Sequence, residues 1–384
     1  MQPIPQAKPD APFAPPPGLR PISPEYDPWD PIRSLQKYGR HVLTSVEFTI
    51  THLCNLRCEH CAVGDTLTTR EAPRLPTDLV LRRLDEVEHL ETISLTGGEP
   101  TFSPETIEQV ILPVLKYARA RGVRTQLNSN VTLDYGRYEA IAPHLDVMHI
   151  SFNYTGAEDF RRITFARAGN MAGEETAARI YERMMDNARR LAEGGLFVSA
   201  ESMINYRTWR HMARIHRLAE MGCRRHEVHP MYPSAFAADL PMLPREQLRS
   251  VIFGLLEVRD PNVWMLFGTL PFFACSDDPE DLRLIERLRS APNVTVRNDP
   301  DGRCRVNVNL FTGNVYVTDF AKLPPIGNIR EEKLDDMFER WQAHPVQRAV
   351  NCHCPEAACC GPNLLVTDMY YRGVDFTRRR AKQA

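Results

Sequence analysis

The stretch SVEFTITHLCNLRCEHCAVG (residues 45–64) joins a strand-like run to a loop with three cysteines spaced C-x3-C-x2-C. The run SVEFTIT is rich in the β-branched and aromatic residues that are typical of strands. Cys54, Cys58 and Cys61 follow it directly. A disulfide uses cysteines in pairs, and a structural zinc site usually uses four ligands. Three thiols after a strand therefore form a set with one ligand fewer than a structural zinc site uses.

Five further strand-like runs follow the first, and helical patterns separate them. The six predicted strands lie at 45–51, 92–96, 124–130, 147–153, 197–204 and 224–233. This alternation is typical of a parallel sheet with right-handed crossovers. We expect residues 41–235 to form an α/β core, either a doubly wound sheet or a (βα)6 partial TIM-type barrel.

The remainder of the chain divides into three parts. Residues 1–40 form a proline-rich N-terminal extension, with eleven prolines in the first 31 positions. Residues 236–300 are predicted to be a helical bridging segment. Residues 301–384 contain a predicted β-hairpin, which turns at Thr312-Gly313-Asn314, and the cysteine-rich run CHCPEAACCGP. We expect this last part to be a small, hairpin-containing C-terminal region.

Composition restricts the class of protein. The 384-residue chain has a net charge of -2, so no strong field would draw it to nucleic acid or to an anionic membrane. No stretch reaches the roughly 20 apolar residues of a membrane span, and the N-terminus lacks a signal-peptide pattern. We expect a cytoplasmic protein, in which the ten cysteines are better suited to be thiols or metal ligands than disulfides.

Polar residues and glycines follow the predicted strands at one end. In parallel α/β folds, sites form where the carboxyl ends of the strands meet. The residues at these positions are Cys54, Cys58, Cys61, Gly97, Gly98, Glu99, Pro100, Asn128, Ser129, Asn130, Ser151, Asn153, Glu201, His229 and Tyr232. The sequence therefore predicts a functional site at this edge.

Two kinds of metal site are open for the cysteine loop. His52 or His60 could supply a fourth ligand and close a zinc site. Zinc sites, however, favour cysteine pairs that are separated by a longer loop, whereas this triad spans eight residues. A compact loop suits an iron–sulfur cubane in which three irons take thiolates and the fourth stays exposed. An open metal position indicates a catalytic site rather than a structural one.

The sequence resembles the radical S-adenosylmethionine superfamily. The resemblance rests on two motifs in order, the cysteine triad after the first strand and GGEP (97–100) after the second. It implies that Cys54, Cys58 and Cys61 bind three irons of a [4Fe-4S] cluster and that S-adenosylmethionine (AdoMet) chelates the fourth. It also implies reductive cleavage of AdoMet to a 5′-deoxyadenosyl radical, which abstracts hydrogen from an unidentified substrate. A low-potential donor such as flavodoxin or ferredoxin would supply the electron.

The same resemblance implies contacts for the methionyl part of AdoMet. Backbone groups of residues 97–100, namely Gly97, Gly98, Glu99 and Pro100, would hold the methionyl amine. Glycine fits this role because a side chain would block close approach of the backbone to the ligand. Asn128 or Asn130 would bind the methionyl carboxylate.

Further contacts are implied for the nucleoside part. His60, just before the third cysteine, would lie against the adenine, and Ser151 or Asn153 would bind the ribose hydroxyls. Glu201 would contact other polar parts of the cofactor. The alternative for Ser151, Asn153 and Glu201 is ordinary capping of strand ends.

The run C-x-C-x4-C at Cys352, Cys354 and Cys359 narrows the resemblance to the YfkAB-type radical S-adenosylmethionine proteins. The stretches CEHCAVG, SLTGGEP, HEVHPMYP and VRNDPDGR agree with that family. The C-terminal region is similar to the twitch and SPASM types, which implies an auxiliary iron–sulfur cluster on these three cysteines. A zinc site or free thiols are the alternatives.

The fourth ligand of that cluster is open. Cys304 precedes the hairpin, where the related domains begin with a cysteine. Thr318 and Asp319 occupy the position after the hairpin where those domains place another cysteine, so Asp319, Cys360 or the substrate could complete the cluster, or it could stay open. A closed cluster moves electrons, whereas an open one can bind substrate. Cys223 and Cys275 are expected to be buried, small apolar residues.

Substrate and function class also have alternatives. The substrate is either a small metabolite or a peptide. Only 44 residues precede the first strand, which is too short for the winged-helix module of dedicated peptide-modifying relatives and favours a small molecule or a peptide captured in trans. The rival function is a non-catalytic iron–sulfur electron carrier or metal sensor, which would not need the GGEP loop.

Overall fold

One sheet of eleven strands organises the described part of the chain. The computed structural model describes residues 11–15, 18–298, 302–318, 323–350, 352, 354 and 357–379. The strands are β1 (Ser45–Thr51), β2 (Thr92–Gly97), β3 (Arg124–Ser129), β4 (Val147–Ser151), β5 (Phe197–Ile204), β6 (Arg225–Pro230), β7 (Trp264–Gly268), β8 (Val294–Arg297), β9 (Arg305–Asn309), β10 (Asn314–Tyr316) and β11 (Gly327–Asn328).

Helices connect the strands, and three more helices come after the last strand in the chain. They are α1 (Pro31–Tyr38), α2 (Thr77–Asp85), α3 (Pro104–Thr106), α4 (Leu112–Ala120), α5 (Tyr135–Ile141), α6 (Ala157–Thr164), α7 (Glu174–Glu193), α8 (Met212–Ile215), α9 (Arg245–Val258), α10 (Pro279–Ser290), α11 (Leu334–Gln342), α12 (Pro345–Val350) and α13 (Leu364–Tyr370). Among the described residues, no helix has both the length and the apolar character that crossing a membrane requires.

The strand order confirms the predicted α/β class with a parallel core. Strands β1 to β8 lie side by side in chain order, and every neighbouring pair is parallel. On the other side of β1, β9 adds a further parallel strand and leads into the antiparallel β10 and β11. The predicted hairpin is thus present as β9 and β10, and it extends the same sheet.

Two parallel strands of the sheet were not predicted from the sequence at all. Strands β1 to β6 correspond to the six predicted strands, whereas β7 and β8 lie in the segment 236–300 that was predicted to be helical. That segment contains α9 and α10 as well as these strands. All five residues of β7 are buried. A short, fully apolar run carries no periodicity that separates a strand from other buried structure.

The two faces of the sheet differ in chemistry. Val46, Phe48 and Ile50 of β1 point into the apolar core that the helices complete, as alternation along a strand requires. The opposite face, which we call the barrel interior, carries buried polar and charged side chains. Across it, Arg225 of β6 donates to Oε1 of Gln126 of β3 at 3.2 Å. This contact spans strands three places apart, as in a curved, partial barrel.

The amino-terminal segment fills the end of the barrel interior where the strands begin. Trp29 is buried in one cluster with Val147, Phe197, Trp264 and Leu266. Its indole Nε1 donates to Oγ of a β2 residue, Ser94, at 3.2 Å. The site was predicted at the carboxyl ends of the strands. The amino-terminal segment therefore closes the end of the barrel interior that lies opposite the predicted site.

A buried ion pair fixes the same segment to the far side of the sheet. Nη1 of Arg297, on β8, lies 2.8 Å from Oδ2 of Asp27. Its Nη2 lies 2.6 Å from Oε1 of Glu227 on β6. The guanidinium therefore links the amino-terminal segment to two strands of the barrel.

Candidate functional site

The cysteine loop after β1 is anchored to neighbouring elements. The backbone N–H of Arg57 donates to the carbonyl of Thr164 at 2.8 Å, and that of Glu59 donates to Ile163 at 3.0 Å. The Glu59 carboxylate pairs with Arg207, beyond the end of β5, at 2.6 Å. These contacts hold the loop between α6 and the segment after β5.

Cys54, Cys58 and Cys61 are partly buried free thiols. Burial raises the pKa of the Cys54 thiol to about 12. Burial, together with the thiols of Cys54 and Cys61, raises the pKa of Cys58 well above its ordinary value. Thiolates crowded in this way need a nearby cation, which bound iron would provide. The donor set therefore fits an iron–sulfur cluster.

The two histidines that could close a zinc site have other neighbours. His52 stacks on Phe311 with ring centroids 4.3 Å apart, and His60 approaches the side chain of Asn153. Within the described ranges, no three His, Cys, Asp or Glu side chains form a group that could hold one metal ion. Ligands that each bind a different iron of a cluster need not converge on one point. His52 and His60 are thus engaged with other side chains.

The glycines of the loop after β2 pack directly on the cysteine loop. A Cβ on Gly97 would lie 2.2 Å from the carbonyl oxygen of Thr51, and one on Gly98 would lie 2.2 Å from that of Leu53. The N–H of Gly98 donates to Thr51 at 2.8 Å, and that of Glu99 donates to Leu53 at 2.7 Å. The reason expected for the glycines was close approach to a ligand. In the structure, the close neighbour is the cysteine loop itself.

Glu99 joins the loop after β2 to the end of β3. Its buried carboxylate accepts hydrogen bonds from the N–H and hydroxyl of Thr101 at 3.1 and 2.6 Å, from Ser129 Oγ at 2.8 Å and from the Asn130 N–H at 2.8 Å. Burial raises the pKa of Glu99 above its ordinary value, and these donors oppose the rise. The side chain therefore positions two loops of the site.

Replacing Glu99 with alanine is expected to lower the free energy of unfolding by about 3 kcal/mol, because two buried N–H donors and two hydroxyls lose their acceptor. Urea denaturation of the purified protein measures the change. Glu108→Ala, at an exposed position of the following helical segment, is the matched control and should stay within about 0.5 kcal/mol of the wild type. Equal urea midpoints for the two variants would contradict the role of Glu99 in joining the loop after β2 to the end of β3.

Asn128 and Asn130 differ in how fully their side chains are engaged. Asn130 donates to Asn55 Oδ1 at 3.0 Å and accepts from the N–H and hydroxyl of Thr132 at 3.0 and 2.6 Å. Asn128 accepts from Gln126 Nε2 at 2.9 Å. Asn130 thus stabilises its own turn, which leaves Asn128 better placed to bind a ligand.

Four predicted residues, one of them from the cysteine loop, lie where β4 and β5 end. The Asn153 side chain lies 3.5 Å from His60 Nε2 and accepts from the Met203 N–H at 2.7 Å. Ser151 lies opposite Glu201 in the register of the two strands. Burial lowers the pKa of His60 to about 4. His60 is therefore a neutral imidazole near pH 7.

Glu201 forms an ion pair that sequence reasoning did not foresee. Its Oε1 lies 3.0 Å from Nε2 of His229 on β6, and its Oε2 lies 3.7 Å from Nε2 of His149 on β4. Desolvation opposes ionisation of Glu201, yet the two imidazoles outweigh it and hold its pKa well below the usual range. Desolvation also lowers the pKa of His229, but the hydrogen bond to Glu201 outweighs this effect and raises it. The pair therefore favours carboxylate and imidazolium.

Deeper in the barrel interior, a second carboxylate is ionised. Burial opposes charge on Glu227, but Arg297, followed by His149 and Arg225, lowers its pKa. Sequence reasoning missed His149, Arg225, Glu227 and Arg297 as interior residues. The signal that could have found them is a charged residue at alternate positions of otherwise apolar strands.

Two β-branched residues have left-handed backbone conformations next to the site. Val131 follows β3 with φ of 45°, and Thr269 follows β7 with φ of 50°. Such conformations are unfavourable for β-branched side chains and tend to occur at functional sites. Both lie at the carboxyl ends of strands, where the site was predicted.

The C-terminal cysteines surround a small cavity. Cys352, Cys354, Cys359 and Cys275 line this small, partly open cavity together with aromatic and small residues. Burial raises the pKa of Cys352 to about 12 and that of Cys359 to about 11. Cys275 was expected to be a buried apolar residue, whereas it is half-buried and lines this cavity.

Cys304 and Cys360 are not among the residues that line that cavity, although Cys360 interacts electrostatically with Cys359 and with Cys304. The Cys304 carbonyl accepts from the N–H groups of Thr44 and Ser45, each at 2.9 Å, at the start of β1. Cys360 is buried against Ile32 and Leu35 of α1. Asp319, the other candidate fourth ligand, lies outside the described residues. The sequence suggested Cys304 because it precedes the hairpin, and the structure places its backbone beside the start of β1.

Two family descriptions match adjacent parts of the chain. The radical SAM superfamily matches residues 48–219, and the YfkB-like domain matches residues 231–381. The first range covers β1 to β5 and the cysteine loop. The second begins after β6 and includes Cys275 and the C-terminal cysteines.

One relative matches nearly the whole chain, and two solved structures have a similar fold. YfkA of Bacillus subtilis (strain 168) is 53% identical over 366 residues, which cover 95% of this chain and 98% of the relative. Streptococcus suis SuiB bound to S-adenosylmethionine has a TM-score of 0.56 at 13% identity, covering 87% of this chain and 76% of that chain. Native anSMEcpe with bound AdoMet and Cp18Cys peptide has a TM-score of 0.55 at 14% identity, covering 83% and 87%. At these identities the two structures support the fold alone.

Proposed function

Because the chain belongs to the radical S-adenosylmethionine superfamily, and is an enzyme of that class, we propose that Cys54, Cys58 and Cys61 hold a [4Fe-4S] cluster that binds AdoMet. When bound, these groups supply a 5′-deoxyadenosyl radical that abstracts hydrogen from the substrate. The observation that carries the proposal is the packing of Gly97 and Gly98 on the cysteine loop. It joins both family motifs in one unit at the carboxyl ends of β1 and β2.

The methionyl group of AdoMet is proposed to lie between the loop at 97–100 and the end of β3. An ammonium group needs acceptors, and the N–H groups of Gly98 and Glu99 already donate to the cysteine loop. Backbone carbonyls of residues 97–100 are therefore the proposed contacts for the amine. Asn128 is the proposed contact for the carboxylate, because Asn130 is engaged in its own turn.

The nucleoside is proposed to lie along the ends of β4 and β5. The buried, neutral ring of His60 suits stacking against adenine. Ser151 and Asn153 are the proposed partners of the ribose hydroxyls. Glu201 and His229 remain 34% and 22% exposed, so this ion pair is the proposed polar boundary between cofactor and substrate.

The substrate is proposed to be a small polar molecule. The barrel interior next to the site contains paired charges, including Glu201 with His229 and Glu227 with Arg297. Such groups favour a substrate that offers hydrogen-bond donors and acceptors, because an apolar one would leave them poorly solvated. A polar side chain of a peptide is the second candidate. The electron is proposed to come from a low-potential donor such as flavodoxin or ferredoxin.

An auxiliary iron–sulfur cluster is proposed at Cys352, Cys354 and Cys359. The cavity that these thiols share supports it, as does the antiparallel backbone bridge between Cys354 and Cys359. The burial that disfavours their thiolates would be offset by bound iron.

The test of the enzyme function is AdoMet cleavage. The protein is reconstituted anaerobically with iron and sulfide, dithionite and AdoMet are added, and 5′-deoxyadenosine is quantified by mass spectrometry. We expect product from the wild type and none above background from the Cys54/Cys58/Cys61→Ala variant. Cys223→Ala, which removes a buried thiol of the core, is the matched control.

The assay is run with and without the low-molecular-weight fraction of a cell extract. Product that increases with the fraction would support a small substrate, which deuterium transfer into 5′-deoxyadenosine could then identify. A reducible cluster without triad-dependent product in either condition would contradict the proposal and favour an electron carrier.

A further inference from the structure

Cys275 is separated by 77 residues from Cys352, yet both line the same cavity. The other two cysteines of its wall are Cys354 and Cys359, and the remaining lining residues are Phe273, Ala274, Ala357, Gly361 and Phe376. Electrostatic interactions link Cys352 to each of the other three cysteines. The described thiols therefore include a set of four around one cavity.

The backbone fixes three of these cysteines relative to one another. Cys354 and Cys359 form an antiparallel bridge, with N–H to carbonyl distances of 2.8 and 3.1 Å in the two directions. Directly paired residues project their side chains to the same side, with Cβ atoms roughly 5 Å apart. Gly361 has φ of 86°, and a Cβ there would lie 2.2 Å from the carbonyl oxygen of Cys352. The backbone at Gly361 thus packs directly against the backbone of Cys352.

The fourth cysteine lies on a segment that is held just as firmly. Cys275 follows β7, which ends at Gly268. Nη1 of Arg379 donates to the Cys275 carbonyl at 3.2 Å. Phe273, two positions before it, packs against Phe376 and Tyr371 with ring centroids 5.3 and 5.7 Å apart. Aromatic packing therefore positions Cys275 without help from a disulfide.

Two cationic side chains lie beside this set. Arg379 interacts electrostatically with Cys275, and Arg289 does so with Cys359. Nη2 of Arg289 also donates to the Ala357 carbonyl at 2.7 Å. Positive charge at this position suits a group that carries several thiolates.

We propose that Cys275 is the fourth protein ligand of the auxiliary cluster, which is therefore a closed, four-cysteine iron–sulfur cluster. The inference rests on the auxiliary cluster of the proposed function and replaces Cys304 as its fourth ligand. With four thiolates bound, no iron is left open for substrate. The role of the cluster is then to transfer electrons.

The test uses full-length protein in which Cys54, Cys58 and Cys61 are alanine, so that only the auxiliary cluster can form. After anaerobic reconstitution, iron, sulfide and zinc are counted, and the reduced cluster is observed by Mössbauer and EPR spectroscopy. We expect about four irons and four sulfides per chain. Adding Cys275→Ala should reduce the iron at least about twofold or convert the cluster, whereas Cys304→Ala and Cys360→Ala should leave its content and spectra unchanged.

Cys275→Ser separates ligand loss from misfolding. It keeps the size of the side chain and can place oxygen on iron, so we expect a retained cluster with a shifted EPR signal and unchanged circular dichroism. Unchanged iron and spectra in both Cys275 variants would overturn the inference, as would loss of the cluster in Cys304→Ala alone.

Failure of the proposed function itself gives a different result. The Cys54/Cys58/Cys61→Ala protein could bind no iron, or bind stoichiometric zinc, or keep its iron when Cys352, Cys354 and Cys359 are also replaced. Any of these results would contradict the proposed auxiliary cluster, whatever the variants at Cys275 show. The variants at Cys275 are therefore informative only if the Cys54/Cys58/Cys61→Ala protein binds iron and loses it when Cys352, Cys354 and Cys359 are also replaced.

Discussion

Gly98→Ala is expected to lower the rate of AdoMet cleavage by about 100-fold or more. The new Cβ would lie 2.2 Å from the Leu53 carbonyl oxygen and 3.1 Å from the Cys54 Cβ. Backbone cannot yield as a flexible side chain can, so the cysteine loop has to move. A displacement on the order of 1 Å at a reacting centre can cost about 100-fold in rate. Initial rates of 5′-deoxyadenosine formation, with iron counted in the same samples, measure the effect.

Gly136→Ala is the matched control for this substitution. A Cβ at Gly136 would meet nothing within 4 Å, and the residue lies in α5. Alanine inside a helix is more stable than glycine by roughly 0.5–1 kcal/mol, so this variant should cleave AdoMet at the wild-type rate. If Gly98→Ala kept both its iron and its rate, the contact between the two loops would not be what positions the cysteines.

Arg297→Ala is expected to lower the free energy of unfolding by about 3–5 kcal/mol, the range for removing one partner of a buried ion pair. The carboxylates of Asp27 and Glu227, only 6% and 9% exposed, would lose the guanidinium of Arg297, and the more distant Arg225, at 3.9 Å, would remain for Glu227 alone. Thermal and urea unfolding, followed by circular dichroism, measure the loss. Arg297→Lys should restore part of it, because it keeps the charge but cannot bind both carboxylates in the same geometry.

An exposed pair provides the comparison for Arg297. Arg283 lies 2.8 Å from Glu280, and the two side chains are 64% and 50% exposed. Solvent screens such pairs, so Arg283→Ala should cost less than about 1 kcal/mol. Similar small losses for both variants would mean that Asp27 and Glu227 are solvated or protonated without Arg297.

The sequence predicted β1 to β6 well because local patterns define them. The predicted ranges 45–51 and 197–204 coincide with β1 and β5. The carboxyl-end rule then indicated the edge at which the cysteines, Gly97 and Gly98 belong. The reason for those glycines could not be predicted, because it depends on how closely two loops pack.

Pairings between distant segments were not predictable in the same way. Arg297 and Asp27 are 270 positions apart, and nothing local to either residue indicates its partner. Cys275 was missed for a related reason. The run WMLFG was not recognised as β7, so the cysteine that follows it was not placed beyond the carboxyl end of a strand.

The return of β9 to the side of β1 has a consequence for folding. Val46 pairs with Val306, so β1 acquires its second neighbour only when the chain is nearly fully made. Contacts at such long range form slowly, because loop closure must precede them. During synthesis, the strand that leads into the cysteine loop therefore has an unpaired edge, which other strands can join. Loading of iron before β9 has docked would take place on an incompletely supported loop, so timely completion of the sheet protects both solubility and cluster assembly.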